Sequence, residues 1–344
     1  MKKTIIVSMG ILFLFSCQNE KNFETTKEIK RTEKGIYVLN EGVWGNNNSS
    51  ISYIGYDSGN AIADIATTKW KSPLGDTGNS LYEKNDTVYV CVTSSNKIEL
   101  FRKSTGDHIR SFVFPQNTEP RQSAISNGKL FVTSFLLGSA VVVDLKTFQQ
   151  TNKIPVGNHP DQMIESDGKL LVSISELGTG NKIAIVDAAS EMKIKEVEVG
   201  LNPSEIIEIP NCFAVHCSGN LLLDKPKSVL YRLNKNDFSI IDSLQTGKQI
   251  YQIGNYGTQK LFAVDDNQIS LLNEDLSIET TLITRTQVHS KIIYSLLYDS
   301  ESGILWIAST DTYTVRGWLE GFKNGTKIYG AFQVGVNPGD LLIK

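Results

Sequence analysis

The chain has 344 residues, of which 40% are hydrophobic and 21% charged, with 27 glycines, 9 prolines and 4 cysteines. That composition excludes a collagen-like polymer, a disordered chain and a disulfide scaffold. A formal charge of −3 leaves no global basic field for neutralising phosphates, so nucleic acid is excluded as a natural partner.

Lys2 and Lys3 precede an apolar run from Thr4 to Phe15. The run is too short to cross a bilayer as a helix but suits the apolar region of an export signal. It ends Leu14-Phe15-Ser16-Cys17, a match to the bacterial lipobox, in which Cys17 would become the lipidated first residue. Residues 1–16 are therefore expected to be removed. Loss of Lys2 and Lys3 would move the formal charge from −3 to −5. Residues 17–34 lack apolar periodicity and read as a lipid-anchored flexible tether. The remaining cysteines are Cys91, Cys212 and Cys217. An odd number makes no full disulfide set, and Cys212 and Cys217 stand on opposite faces of one expected strand. All three read as small buried apolar residues, with no metal-ligand spacing.

From residue 35 the chain repeats. Seven apolar runs recur: GIYVLNEG, TVYVCVTS, KLFVTSF, KLLVSIS, CFAVHCS, KLFAVDD and ILWIAST. Their second apolar positions are Tyr37, Tyr89, Phe131, Leu171, Phe213, Phe262 and Trp306, 40–52 residues apart. Each run is rich in β-branched and aromatic residues and short enough for a strand. Second strands follow, among them KIELFRK, AVVVDLK and YTVRGWL, then third strands such as TNKIPVG and IKEVEVG. The corners into the next unit are near copies: VGNHP at 156–160, VGLNP at 199–203 and VGVNP at 334–338. A glycine, then Asn or His, then proline is turn chemistry. Four strands in about 44 residues, repeated seven times, predict an all-β, seven-bladed β-propeller over 35–344. Gln287–Tyr298 also fits a helical stripe, but the repeat register makes Tyr294–Tyr298 an inner strand. The first unit has no inner strand of its own, and Pro338–Lys344 is expected to supply it, closing the ring and removing an open edge.

In such a ring the corners and the turns between second and third strands share one face. They bring Asn79, Arg121, Gln122, Asp161, Gln162, Ser204, Glu205, Tyr251, Gln252, Tyr294 and Asp340 toward the central mouth. The longest turns on that face are Asn40–Ser50, with Glu41, Trp44, Asn46 and Asn47, then Glu176–Asn181 and Ser218–Lys227. Long loops on a rigid scaffold are where binding residues concentrate. Side-chain amides donate and accept, suiting a ligand fringed with amides or hydroxyls. Trp44, Tyr251 and Tyr294 could supply flat apolar surface. Single asparagines are more simply turn formers, and His159 in its Gly-x-His-Pro corner reads the same way. His216 reads as a packing residue. Asp161 and Glu205, taken as equivalent positions of adjacent blades, form a carboxylate pair that could hold a cation or work as acid and base. No nucleophile motif or phosphate-cradling loop is present, so a binding protein without a catalytic residue, resident metal or cofactor is expected.

The opening YVLNEGVWGNNNSSISYI, the VGxxP corners and the closing VGVNPGDLLIK resemble the YncE-like seven-bladed propeller lipoproteins of gram-negative cell surfaces. Within that group they are most similar to the BtuG-like family, which captures cobalamin and other corrinoids. The resemblance implies a monomeric receptor, lipid-anchored at Cys17 on the outer membrane. It would bind corrinoid on the loop face and pass it to a TonB-dependent transporter. Periplasmic display is the alternative location. A glycan, a siderophore or a protein partner is the alternative ligand, and a lactonase-like hydrolase with a metal near Asp161, Glu205 and Asn79 the alternative activity.

Overall fold

Each of the seven apolar runs becomes the second strand, counted from the centre, of an antiparallel four-stranded sheet. The computed structural model describes residues 24–25, 28–220, 227–257 and 260–344. The proposed signal segment 1–16 and Cys17 lie outside the described residues. Seven sheets form a β-propeller, and the blades are numbered here along the chain. Blade 1 consists of Ile36–Asn40, Ser50–Gly55, Asn60–Ile62 and the C-terminal Pro338–Ile343. The inner strands of blades 2–7 are Gly78–Lys84, Pro120–Ser126, Pro160–Ser166, Pro203–Ile209, Gln252–Tyr256 and Ile292–Asp299.

The unbroken apolarity of the second strands has a direct cause. Each sheet is packed on both faces by its neighbours, so successive side chains pointing opposite ways are both buried. All seven repeat markers, Tyr37 through Trp306, are buried. The fourth strands, at the rim, are exposed over most of their length, as in His108–Val113 and Met192–Glu198. The core is correspondingly split into seven clusters, one in each seam between blades. In the seam of blades 7 and 1, Trp306 stacks on Tyr329 at 5.3 Å and meets Tyr56 at 5.0 Å between ring centres.

Ring closure follows the sequence expectation. Pro338–Ile343 pairs antiparallel with Ile36–Asn40, Ile36 facing Ile343, and lies between the inner strands of blades 7 and 2. Ile292–Asp299 is a strand, not a helix. Cys91, Cys212 and Cys217 are unpaired and buried. Among the described residues no helix is long and apolar enough to cross a membrane.

Three expectations need correction. The segment before residue 35 is not free along its whole length. Glu24–Thr25 pairs parallel with Asn60–Ala61, adding a fifth strand to blade 1. Ile29 is buried in the seam of blades 1 and 2. Glu33 Oε2 accepts from Ser58 Oγ (2.7 Å) and Asn60 Nδ2 (2.8 Å). One apolar side chain and one well-satisfied carboxylate dock residues 28–34 on the ring. The third strand of blade 7 begins at Arg316, so Tyr313 belongs to the preceding turn instead of the strand. Finally, Asp161 follows its proline by one residue and Glu205 by two. The repeat-equivalent of Glu205 is Gln162, and that of Asp161 is Ser204.

Candidate functional site

The corners do the positioning. The residue before each of the four inner-strand prolines turns the chain with a left-handed backbone: Glu119 (φ 46°), His159 (φ 46°), Asn202 (φ 54°) and Asn337 (φ 54°). Asn tolerates that conformation better than most side chains, through local hydrogen bonding. This accounts for the Asn-Pro copies and gives His159 its turn-forming role. Asn337 adds bonds from its Nδ2 to the carbonyls of Gly42 (2.8 Å) and Tyr313 (3.0 Å). The corner thus ties the turns of blades 1 and 7 together.

Around the central channel the expected polar residues converge and bond to one another. The Arg121 guanidinium lies 3.5 Å from Asp161 and 4.5 Å over the Phe135 ring. The Asn79 amide, in the orientation that satisfies both its atoms, donates to Arg121 O (2.8 Å) and accepts from Arg121 Nη1 (3.0 Å). Gln162 reaches across to blade 5, where its Oε1 accepts from the Ile206 N–H. Glu205 Oε2 is 2.5 Å from His216 Nδ1 and accepts from Ser204 Oγ (2.7 Å). His216, buried completely, is therefore more than packing: it anchors Glu205 to the second strand of blade 5. Ser204 Oγ is also 2.9 Å from that same Nδ1, and His216 Nε2 has no hydrogen-bond partner among the described residues. A serine–histidine–acid relay needs both ring nitrogens in line, and that line is not assembled here. Asp340 accepts from the N–H groups of Leu81 (2.7 Å) and Leu341 (2.8 Å). Glu41 Oε2 accepts from Tyr294 Oη (2.7 Å). Gln122 and Gln252 are half-buried at the starts of their inner strands, Gln122 N–H bonding Thr133 Oγ1 (2.9 Å).

Burial sets the electrostatics of this channel. It pushes the Asp340 carboxyl up to about 6, against the two N–H bonds that favour the charged form. Asp161 is raised by burial too; Arg121 opposes the shift and the charge of Glu205 adds to it. Glu41 is raised by burial, opposed by the Tyr294 hydrogen bond and by Arg121.

A second region lies on the same face between blades 6 and 7. It is a cleft of 410 Å³ whose walls include Tyr251, Asp266, Arg285, Lys291, Tyr294 and Tyr313. Tyr251 and Tyr294 were legible in the corners. Asp266, Arg285, Lys291 and Tyr313 were not singled out. Arg285 stands in the short turn after an outer strand, and Tyr313 was read as strand. Tyr251 donates to Asp266 Oδ1 (2.5 Å), and that bond, with burial second, pushes its phenol up to about 12.

The Trp44 turn crosses the same face. Its indole is 80% exposed. Asn47 takes a left-handed backbone (φ 51°), Asn46 N–H bonds Val43 O (2.9 Å), and Gly45 N–H bonds Asp76 Oδ2 (2.8 Å). Asn46 and Asn47 thus shape the loop that holds the indole out. Through Glu41 and Tyr294 the loop is tied to the wall of the cleft. Glu176–Gly178 forms a short 3₁₀ turn, while residues 221–226 of the third long turn lie outside the described residues. Among the described residues no group of three or more His, Cys, Asp or Glu side chains is placed to share a metal ion.

No protein-family model matches the chain, and no curated protein matches it in sequence. Solved structures match its shape. A candidate 6-phosphogluconolactonase of Bacteroides fragilis is 12% identical with a TM-score of 0.64, over 91% of this chain and 98% of that one. A protein of undetermined function from Desulfotomaculum acetoxidans is 12% identical with a TM-score of 0.66, over 91% and 99%. Apo AztD of Citrobacter koseri is 9% identical with a TM-score of 0.58, over 91% and 98%. At these identities the likeness is one of fold.

Proposed function

We propose that this chain is a capture protein that holds a large, amide- and acid-bearing small molecule against its loop face. A corrinoid is the specific ligand proposed. Lipid attachment at Cys17 would place the protein on the outer membrane, where it would hand its cargo to a TonB-dependent transporter. The observation that carries the capture reading is the concentration of exposed aromatic surface on one face. Trp44 is 80% exposed, Tyr313 61% and Tyr251 48%, and two of the three line one cleft. Large aromatics left in water on one face favour association with a flat apolar body. Corrinoid enters through the sequence resemblance and through chemistry. A corrin is a disc edged with amides, and the face offers aromatic planes with amide and carboxylate side chains between them.

Equilibrium dialysis against cyanocobalamin, read by the ligand's own absorbance, tests the reading. Retention of one equivalent, weakened at least tenfold by Trp44→Ala combined with Tyr251→Ala, is the expected result. No retention at micromolar protein removes the corrinoid. The same sample should leave 6-phosphogluconolactone unhydrolysed above its spontaneous rate; turnover would replace capture with catalysis.

A further inference from the structure

We propose that the cleft between blades 6 and 7 is an oxyanion subsite, in which Arg285 receives a carboxylate or phosphate group carried by the captured molecule. The inference rests on the capture reading of the same face and names the chemistry that the ligand must present.

The backbone at Arg285 is fixed. Thr284 and Gln287 cap the turn Arg285–Gln287 reciprocally. Arg285 N–H bonds Asn267 O (2.7 Å), and Gln287 Nε2 bonds Gly325 O (3.0 Å). The side chain so placed forms part of the cleft wall, yet both of its terminal nitrogens are shielded from water and lack a hydrogen-bond partner among the described residues. A guanidinium cannot shed its charge at ordinary pH, and leaving its N–H groups unbonded away from water is costly. Burial accordingly disfavours its protonated form.

The neighbouring carboxylates do not serve it. Asp265 is paired with Lys248 and accepts from the N–H groups of Asn267 (2.8 Å) and Gln268 (3.1 Å). Asp266 is engaged by Tyr251. Lys291 brings a second cation to the wall, and Val264, Ile292, Ile293, Tyr294 and Tyr313 make the rest largely apolar. A planar fork of donors, in a cleft of mixed apolar and charged walls whose two aspartates are already engaged, matches the geometry of a two-oxygen anion. The terminal nitrogens being shielded, the subsite requires a side chain of the wall to give way, and Tyr251, half-exposed and lining the same cleft, is the one placed for it. The group best accommodated is an acid attached to a flat or apolar body that lies against the tyrosines.

Calorimetric titration of the purified protein with benzoate and with inorganic phosphate tests this directly. The two probes separate a carboxylate from a phosphate preference. One saturable site is expected for at least one probe. Affinity should fall at least tenfold in Arg285→Gln and be partly retained in Arg285→Lys, with the thermal midpoint of either variant unchanged or higher. Binding by Arg285→Gln equal to that of the unaltered protein overturns the subsite, as does the lack of saturable binding of both probes to the unaltered protein. An anion site lost in Arg285→Gln, together with no cyanocobalamin retention, leaves the subsite standing and removes only the corrinoid.

Discussion

Two arginines on the same face of the ring live in opposite circumstances. Arg121, at the corner into blade 3, has Asp161 at 3.5 Å, Asn79 on its Nη1 and the Phe135 ring beneath it. Arg285, before the inner strand of blade 7, has a fixed backbone and no partner for either terminal nitrogen among the described residues. The channel around Arg121 is a connected polar network, which makes it a structural device, although Arg121 Nε and His216 Nε2 have no hydrogen-bond partner among the described residues. The cleft around Arg285 keeps bonding capacity in reserve. Two cations on one face of the ring need not share a role: Arg121 leaves only its Nε unpaired, whereas Arg285 leaves both terminal nitrogens so.

The largest expected effect tests how firmly blade 7, which carries one wall of the cleft, is packed on its other side. Trp306 wedges blade 7 against blade 1 and is wholly buried. Trp306→Ala should cost about 3–5 kcal/mol by urea denaturation. A cost under about 1 kcal/mol would mean that the seam of blades 7 and 1 is slack. Next in size is the pH response of the channel. The folded Asp340 carboxyl titrates near 6, above its value in an unfolded chain. The folded state therefore binds the extra proton, and stability should rise as pH falls from above 6 toward 4, by roughly 2 kcal/mol. Asp161 and Glu41, also raised by burial, act with the same sign. Urea midpoints across that range should show the slope, and Asp340→Asn should flatten it; an unchanged slope would detach the effect from this residue. The smallest effect is on Trp44. With its indole in water, Trp44→Ala should change stability by no more than about 0.5 kcal/mol, while in the dialysis experiment it should weaken ligand retention.

The fold was legible because a propeller writes itself repeatedly. The doubly buried second strands read as continuous apolar runs, and prolines mark four of the seven entries to the centre, at Pro120, Pro160, Pro203 and Pro338. Even the closing strand could be placed, since the first unit lacked one and Pro338–Ile343 had nowhere else to pair. The docking of Ile29 was not legible, because one apolar residue in a polar stretch makes no period. The channel residues could be placed by repeat position, but their partners could not. Glu205 bonding His216 depends on a two-residue offset that the pattern does not weigh. Arg285 and Tyr313 were missed because they stand in turns of ordinary length, and nothing in a sequence says which arginine will lack an acid.

The central claim is that the two arginines differ in what they are for, and paired urea denaturation of Arg121→Met and Arg285→Met without ligand tests it most directly. Arg121→Met strips Asp161 of its partner and should cost about 1–2 kcal/mol, the pair being only partly shielded at the channel mouth. Arg285→Met removes a cation whose terminal nitrogens are shielded and unpaired, and should leave stability unchanged or raise it. Equal losses in the two variants would contradict the account, because Arg285 would then be as structurally committed as Arg121.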